Sequence, residues 1–288
     1  MNWQLVLLLN LTILVIARFT IKLVADKLPN AKAIFLQYLF CACFVVLYWL
    51  FFDKSRIYAE DFLIVGMVGI VNAWGTYCQW RAIKINLSKT SLFNPLSDVL
   101  TVILAVLILN EIASWNLLFG SGIVLCFVAV WLFSSQKTES NNNAKNWLLF
   151  TAGMVLIFGI TTFLMKVFSS TAEIPSTQFL MFWYIGAFAG SIPVFYFEKN
   201  NKVNQSERKW ILLIPFVSLV ILGSLATSYW MFRLTEASRV VPFQSMGGAF
   251  LPILIGWFIF KERKGLSKKE IVAFLVGLIG AIFIIFSK

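Results

Sequence analysis

Histidine is missing from the chain altogether, and with it go the commonest zinc ligand and the side chain best suited to exchanging protons near neutral pH. Charge is scarce too: 13% of the 288 residues are Asp, Glu, Lys or Arg, where a soluble globular domain carries about 25%. Too little charge is left to coat a water-facing surface, so a soluble globule is excluded. No glycine-rich phosphate loop occurs, and nucleotide hydrolysis loses its usual cradle. The four cysteines, Cys41, Cys43, Cys78 and Cys126, all fall inside apolar stretches, and Cys41 and Cys43 point to different sides of a helix. Neither a disulfide framework nor a metal site follows. With no catalytic constellation, no metal and no cofactor indicated, the chain does not read as an enzyme.

Apolar residues are what the chain has in plenty. At 60% hydrophobic and 16% aromatic residues, with a mean hydropathy of +0.84, it reads as an all-α integral membrane protein, multi-pass in a cell membrane (plasma or inner) and surrounded by membrane lipid. The formal charge of +11 lies in short Lys and Arg clusters between apolar runs, where positive charge sets topology, so nucleic-acid binding is not expected. Ten runs of about 20 residues, each long enough for a hydrocarbon core of roughly 30 Å, lie near 3–21, 31–52, 62–83, 88–109, 115–133, 147–168, 177–197, 210–232, 239–260 and 268–286. The first run lacks a basic lead-in and a small-residue cleavage site, and is expected to span rather than act as a signal peptide. Lys and Arg concentrate in the connections after the odd-numbered runs, which by the positive-inside rule puts both termini outside.

The two halves also resemble each other. Ile21-Lys22 to Leu28-Pro29 and Phe35-Leu36-Gln37-Tyr38 parallel Met165-Lys166 to Ile174-Pro175 and Met181-Phe182-Trp183-Tyr184. Trp80, Ser88-Lys89 and Phe93-Asn94 likewise parallel Trp230, Ser238-Arg239 and Phe243-Gln244. Residues 1–134 therefore form a first five-helix repeat, 135–145 a polar linker and 146–288 a second repeat. Five is odd, so the second copy enters the membrane in the opposite sense, and such inverted repeats place a substrate site at their interface near the bilayer midplane.

The fourth run, SKTSLFNPLSDVLTVILAVLIL, carries an acid at its middle, Asp98. A central carboxylate costs about 2.5 to 3.5 kcal/mol on insertion scales and needs a reason to be there. Ser91, Asn94 and Thr101 share its helix face, making a polar stripe that should look into the protein. A carboxyl group in a partly dry cavity can alternate between holding a proton and meeting a substrate, which makes Asp98 the coupling candidate; a purely packing role is the alternative. Asn10, then Asn72, Thr76 and Gln79, then Ser224 and Ser228, and finally Gln244 and Ser245 are further polar groups inside apolar runs. They either join helices or line a cavity with Asn94 and Ser91, where Trp74, Tyr77, Trp183 and Trp230 are available to stack on a substrate. Lys22 and Lys166 occupy equivalent places in the two halves; they either snorkel to the interface or contact an anionic substrate group. Arg18, Arg81 and Arg233 read as interface anchors, with pairing to an acid open for Arg81. Glu111 and Glu262 close equivalent helices and read as caps or loop-pairing groups rather than ligand contacts. Gly186 and Gly190 have GxxxG spacing, Gly277 and Ala281 a related one suited to internal packing or to a homodimer, and Gly247, Gly248 and Pro252 weaken the ninth run.

Taken together, Lys22 with Leu28-Pro29, Arg81-Ala82-Ile83-Lys84 followed by Asn94-Pro95, Leu109-Asn110-Glu111, and the second-half set of Lys166, Pro175 and Phe260-Lys261-Glu262-Arg263 before Val276-Gly277-Leu278-Ile279-Gly280 resemble the EamA-type branch of the drug/metabolite transporter superfamily. The resemblance covers nearly the whole chain. It implies exchange of a small-molecule substrate such as an amino acid or nucleobase, a central cavity lined mainly by helices 1, 3, 4, 6, 8 and 9, with helices 5 and 10 outside, and cytoplasmic termini. This sequence departs from it at Gln37, where many relatives carry Arg, and at Met246, which faces Pro95 in the repeat alignment and leaves a helix break better supported in the first half. The function expected is secondary transport by alternating access, with proton coupling as an option; a lipid flippase or a membrane scaffold are the alternatives.

Overall fold

Lipid offers no hydrogen bonds to the backbone, so an apolar chain with few Gly or Pro interruptions satisfies its N–H and C=O groups within helices. The computed structural model describes residues 3–53, 56–110, 117–134, 142–198, 208–237, 240–241, 244, 255, 259 and 268–286, and apart from turns and connections these are helical throughout. The helices are α1 (Trp3–Ala25), α2 (Asn30–Tyr48, extended by a π-helical turn, Trp49–Asp53), α3 (Ala59–Ile85), α4 (Leu87–Leu109) and α5 (Leu117–Ser134). There follow α6 (Asn142–Ser170), α7 (Ser176–Phe197), a single short helix α8 (Arg208–Ile211), α9 (Ile214–Leu234) and α10 (Lys268–Phe286). Among the described residues, six helices are long and apolar enough to cross a membrane: Trp3–Ala25, Asn30–Asp53, Ala59–Ile85, Asn146–Ser170, Ser176–Phe197 and Lys209–Leu234. The expected ninth run lies almost wholly outside the described residues, as do Ser245, Met246, Gly247, Gly248, Pro252, Glu111 and Glu262.

The sixth helix, α6, begins at Asn142, ahead of the apolar run near 147–168. Two local expectations are corrected. The eighth run is divided, since a turn at Leu212 and Leu213 precedes α9, whose second residue is Pro215, and proline is tolerated in a first helical turn. In the fourth run, by contrast, Pro95 causes no break: α4 continues through it from Leu87 to Leu109. Neighbouring helices and hydroxyls compensate for a missing N–H more readily in a membrane protein.

Helix packing follows an exchange rule. α1 packs on α9 and α3 on α6; α2 packs on α9 and α3 on α7; α2 also meets α7, and α5 meets α10. Swapping the first five runs for the second five exchanges the members of each of the first two pairs and maps α2–α7 and α5–α10 onto themselves, as a two-repeat architecture demands; α4 also packs on α6, a contact whose counterpart would involve the ninth run, outside the described residues. The closest approach is between α3 and α7. A Cβ on Gly186 would fall on the carbonyl of Gly66, one on Gly69 would strike the carbonyl of Trp183, and one on Gly190 would sit 2.6 Å from the carbonyl oxygen of Ile70. These glycines let two backbones touch. On α10, Gly277 faces Ala129 of α5, with 3.3 Å between a Cβ built there and the alanine methyl. That close approach serves packing of α5 against α10 inside the chain.

Candidate functional site

Buried polar side chains in an apolar bundle must pair with one another or face a polar space. Both occur here. A cavity of about 240 Å³ opens between α1, α2, α3, α4, α6, α7 and α9 and reaches Gln244. Residues of both halves line it, including Asn72, Thr76, Gln79, Asn94, Asp98, Ser224, Ser228 and Gln244 from the expected set. The stripe on α4 does look inward: Ser91 and Thr101 are fully buried, Asn94 nearly so, and Asp98 stands at the cavity. Thr101 turns away from the cavity to donate to Gly159 O on α6 at 3.0 Å.

Asn10 joins helices rather than lining the cavity. Completely buried, its Nδ2 lies 2.9 Å from Ser224 O, 2.7 Å from Thr227 Oγ1 and 3.0 Å from Ser228 Oγ, while its Oδ1 accepts from Gln244 Nε2 at 2.8 Å. Gln244 Nε2 also lies 3.1 Å from Ser228 Oγ, so one amide ties α1, α9 and the start of the ninth run. Asn10→Leu leaves these partners unmatched, and a loss of about 1–3 kcal/mol is expected. Thermal unfolding of the purified variant in detergent measures it, and an unchanged midpoint would mean that the amide is dispensable. A second knot lies on the other side: Tyr38 OH bonds Thr76 Oγ1 and accepts from Asn72 Nδ2 at 3.3 Å.

A family model described as the EamA-like transporter family matches residues 1–135 and again 145–286. The chain belongs to the EamA-like transporter family. Membership makes it a membrane protein of the drug/metabolite transporter type, in a family of transporters rather than enzymes. Among the curated proteins none matches it. A solved structure described only as "Crystal structure of protein" shares the fold, with a TM-score of 0.63 over 98% of this chain and 96% of that one, at 14% identity.

Within this EamA-like protein several sequence expectations move. Trp74 and Trp230 are 41% and 40% exposed and do not line the cavity; an indole on the outer face of a bundle has apolar surroundings there too. Tyr77 is also absent from the cavity wall: its hydroxyl accepts from Arg81 Nε at 3.1 Å. Arg81 further pairs with Glu198 at 3.6 Å, and Glu198 Oε2 accepts from the Ala31 N–H at 2.9 Å. Lys22 and Lys166 are each 5% exposed and do not snorkel. Lys22 Nζ donates to Ile83 O at 3.0 Å and Lys84 O at 3.3 Å, capping α3, and pairs with Asp26 at 3.3 Å. Lys166 Nζ donates to Phe232 O and Thr235 O, each at 3.0 Å, capping α9. A helix C-terminus presents orphan carbonyls and partial negative charge, which an ammonium answers.

The cavity also holds residues that the polar pattern did not single out: Arg18, Gln37, Tyr38, Trp80 and Tyr184. Arg18 is the main correction. Instead of anchoring α1 at the interface it lines the cavity together with Leu14, Ala17 and Ile21, and it attracts Asp98 there by opposite charge. Its signal was present in the helical period, because Asn10, Leu14, Ala17 or Arg18, and Ile21 fall along one face of α1. Trp80 and Gln37 stood out only as a repeat marker and as a departure from the family pattern. No spacing distinguished them from core residues.

Proposed function

We propose that the protein is a secondary transporter in the cell membrane, built of ten spanning helices as two inverted five-helix repeats (1–134 and 146–288, joined by 135–145), that moves a small polar or amphiphilic metabolite by alternating access. The observation that carries this reading is a cavity lined by both halves, with a carboxylate, a guanidinium and several amides on its wall. The carboxylate, guanidinium and amides on an otherwise largely apolar wall suit an amphiphilic solute that makes hydrogen bonds. Rocking one half against the other would expose the same wall to each side in turn.

Asp98 couples the cycle to protons in this reading. Its carboxyl group shares the cavity with Arg18, so a proton arriving on Asp98 releases the guanidinium for a substrate. Purified protein reconstituted into liposomes, given a metabolite panel with and without an imposed pH gradient, tests this. Wild-type uptake should rise with the gradient, and Asp98→Asn should lower the gradient-driven component by about tenfold or more, the cost of losing one proton-dependent step worth at least 1.4 kcal/mol. Gradient-driven uptake that survives unchanged in Asp98→Asn would remove the coupling role, and no uptake of any solute would remove the transport reading itself.

A further inference from the structure

α2 and α7 are equivalent helices of the two halves, and they pack on each other. The approximate two-fold axis of the repeats therefore passes through their seam. Tyr38 and Tyr184, which match in the repeat pattern, lie across it with 6.3 Å between ring centres, and both line the cavity. The helices run antiparallel, so the seam has two ends related by the repeat, one towards each face of the membrane. A cavity that opens to one face at a time needs these two ends to part alternately.

The two ends are held by different chemistry. Where α2 begins and α7 ends, Glu198, the residue that closes α7, reaches two helices of the other repeat. Its Oε2 accepts from the Ala31 N–H at 2.9 Å, and its Oε1 lies 3.6 Å from Arg81 Nη1. Ala31 is the second residue of α2, so its N–H has no carbonyl to meet within its own helix and belongs to the positive end of the helix dipole. Arg81 is held in turn by the Tyr77 hydroxyl at 3.1 Å and lies 5.5 Å from the ring centres of Tyr77 and of Phe150. One turn further along α2, Phe35 packs on Phe188 and Phe195 of α7, at 5.3 and 4.9 Å between ring centres. Where α7 begins, the tie is neutral: Gln178 Nε2 donates to Arg56 O, in the α2–α3 connection, at 2.7 Å.

Glu198 thus bridges one helix that it can leave and one that it cannot. Backbone contact through Gly66, Gly69, Gly186 and Gly190 keeps α7 on α3, so Arg81 and Glu198 travel together. The bond free to part is the one to α2. We propose that Glu198 is the clasp of one gate: its hydrogen bond to the Ala31 N–H holds the α2–α7 seam shut at that end, with Arg81 as the residue that aims the carboxylate. Its release opens the cavity to the membrane face that carries the α1–α2 connection, and the Gln178 end opens to the other. This rests on the alternating-access reading and adds to it the bond that has to break.

Two measurements on the full-length chain test the clasp. An amide in a first helical turn exchanges freely unless something outside the helix accepts from it. Hydrogen–deuterium exchange in detergent should therefore find the Ala31 N–H protected in the wild type, about tenfold or more faster in Glu198→Ala, and intermediate in Arg81→Gln, as the loss of a hydrogen bond to a charged group requires. The second measurement reads the gate. Thr162, on the cavity wall, is changed to cysteine and labelled in sealed vesicles of either orientation with a charged, membrane-impermeant maleimide, after subtracting the labelling of the native cysteines. Lys27→Cys, exposed in the α1–α2 connection, marks the face. Adding Glu198→Ala should speed labelling of Thr162→Cys from the Lys27 face about tenfold and slow it from the other, because the balance between two states shifts. Glu198→Gln, which keeps an acceptor for the Ala31 N–H, should shift it less, and Gln178→Ala should shift it the opposite way. The clasp is overturned if labelling rises from both faces alike or from neither, or if the Ala31 N–H of the wild type exchanges at the unprotected rate, a result that needs no variant to fold. Liposome uptake keeps the two readings apart. A solute that crosses while the Ala31 N–H is unprotected sinks the clasp alone, whereas labelling that shifts between faces while no solute crosses sinks transport alone.

Discussion

Gly186→Leu is expected to keep α3 and α7 from closing on each other, with a loss of more than about 3 kcal/mol, at the upper end of what overpacking costs. Even the first atom of any side chain at this position would fall on the carbonyl of Gly66, a backbone group that cannot rotate aside. The neighbouring sites give no relief, because Gly69 lies under the carbonyl of Trp183 and Gly190 under that of Ile70. Relief requires the helices to move apart. Trp183 and Tyr184 of α7, and Asn72, Thr76, Gln79 and Trp80 of α3, would then shift as well, and these line the cavity. Size-exclusion and thermal unfolding in detergent should show an aggregated or strongly destabilised protein, and Gly186→Ala should lie between it and the wild type. A leucine variant as stable as the wild type would mean that the two helices are not in backbone contact.

Lys166→Met is the second large effect, expected at about 3 kcal/mol, since each hydrogen bond from a charged donor is worth about 1.5 to 3 kcal/mol. Methionine matches the length of the aliphatic stem but offers no donor, so Phe232 O and Thr235 O lose the ammonium at the end of α9. Lys22→Met should cost a similar amount through Ile83 O and Lys84 O on α3. Unfolding midpoints of the two single variants measure these losses. If either lysine instead binds the anionic group of a substrate, its removal would weaken binding of that substrate and leave the midpoint where it was. The pair is informative because the two lysines do the same work in the two halves, each reaching from the first helix of its repeat to the C-terminal end of the third.

The acid at Asp98 was legible because a charge inside an apolar run is conspicuous wherever it sits, and its face on α4 followed from the helical period. Asn10 was legible as a buried amide but not as a knot: its acceptors lie on α9, and its own oxygen is met by a residue 234 positions away. Trp74 and Trp80 illustrate the same limit from the other side. Both are indoles in one apolar helix, six residues apart, and nothing along α3 says that the first is 41% exposed and the second fully buried. Arg18 was misplaced for a related reason. Less than two turns from the end of α1, an arginine has the reach to find the interface, and nothing along α1 says that Asp98 of another helix shares the cavity with it.

By itself the sequence determined that the chain is a helical membrane protein with a doubled internal pattern, because bilayer thickness and the absence of water act on each segment separately. The tertiary structure alone decided which polar groups pair, as Asn10 does with Gln244, and which come together at the cavity, as Arg18 and Asp98 do. Pairing is a property of neighbours brought together from distant runs, and a one-dimensional period carries the face of a helix but not the identity of what it meets.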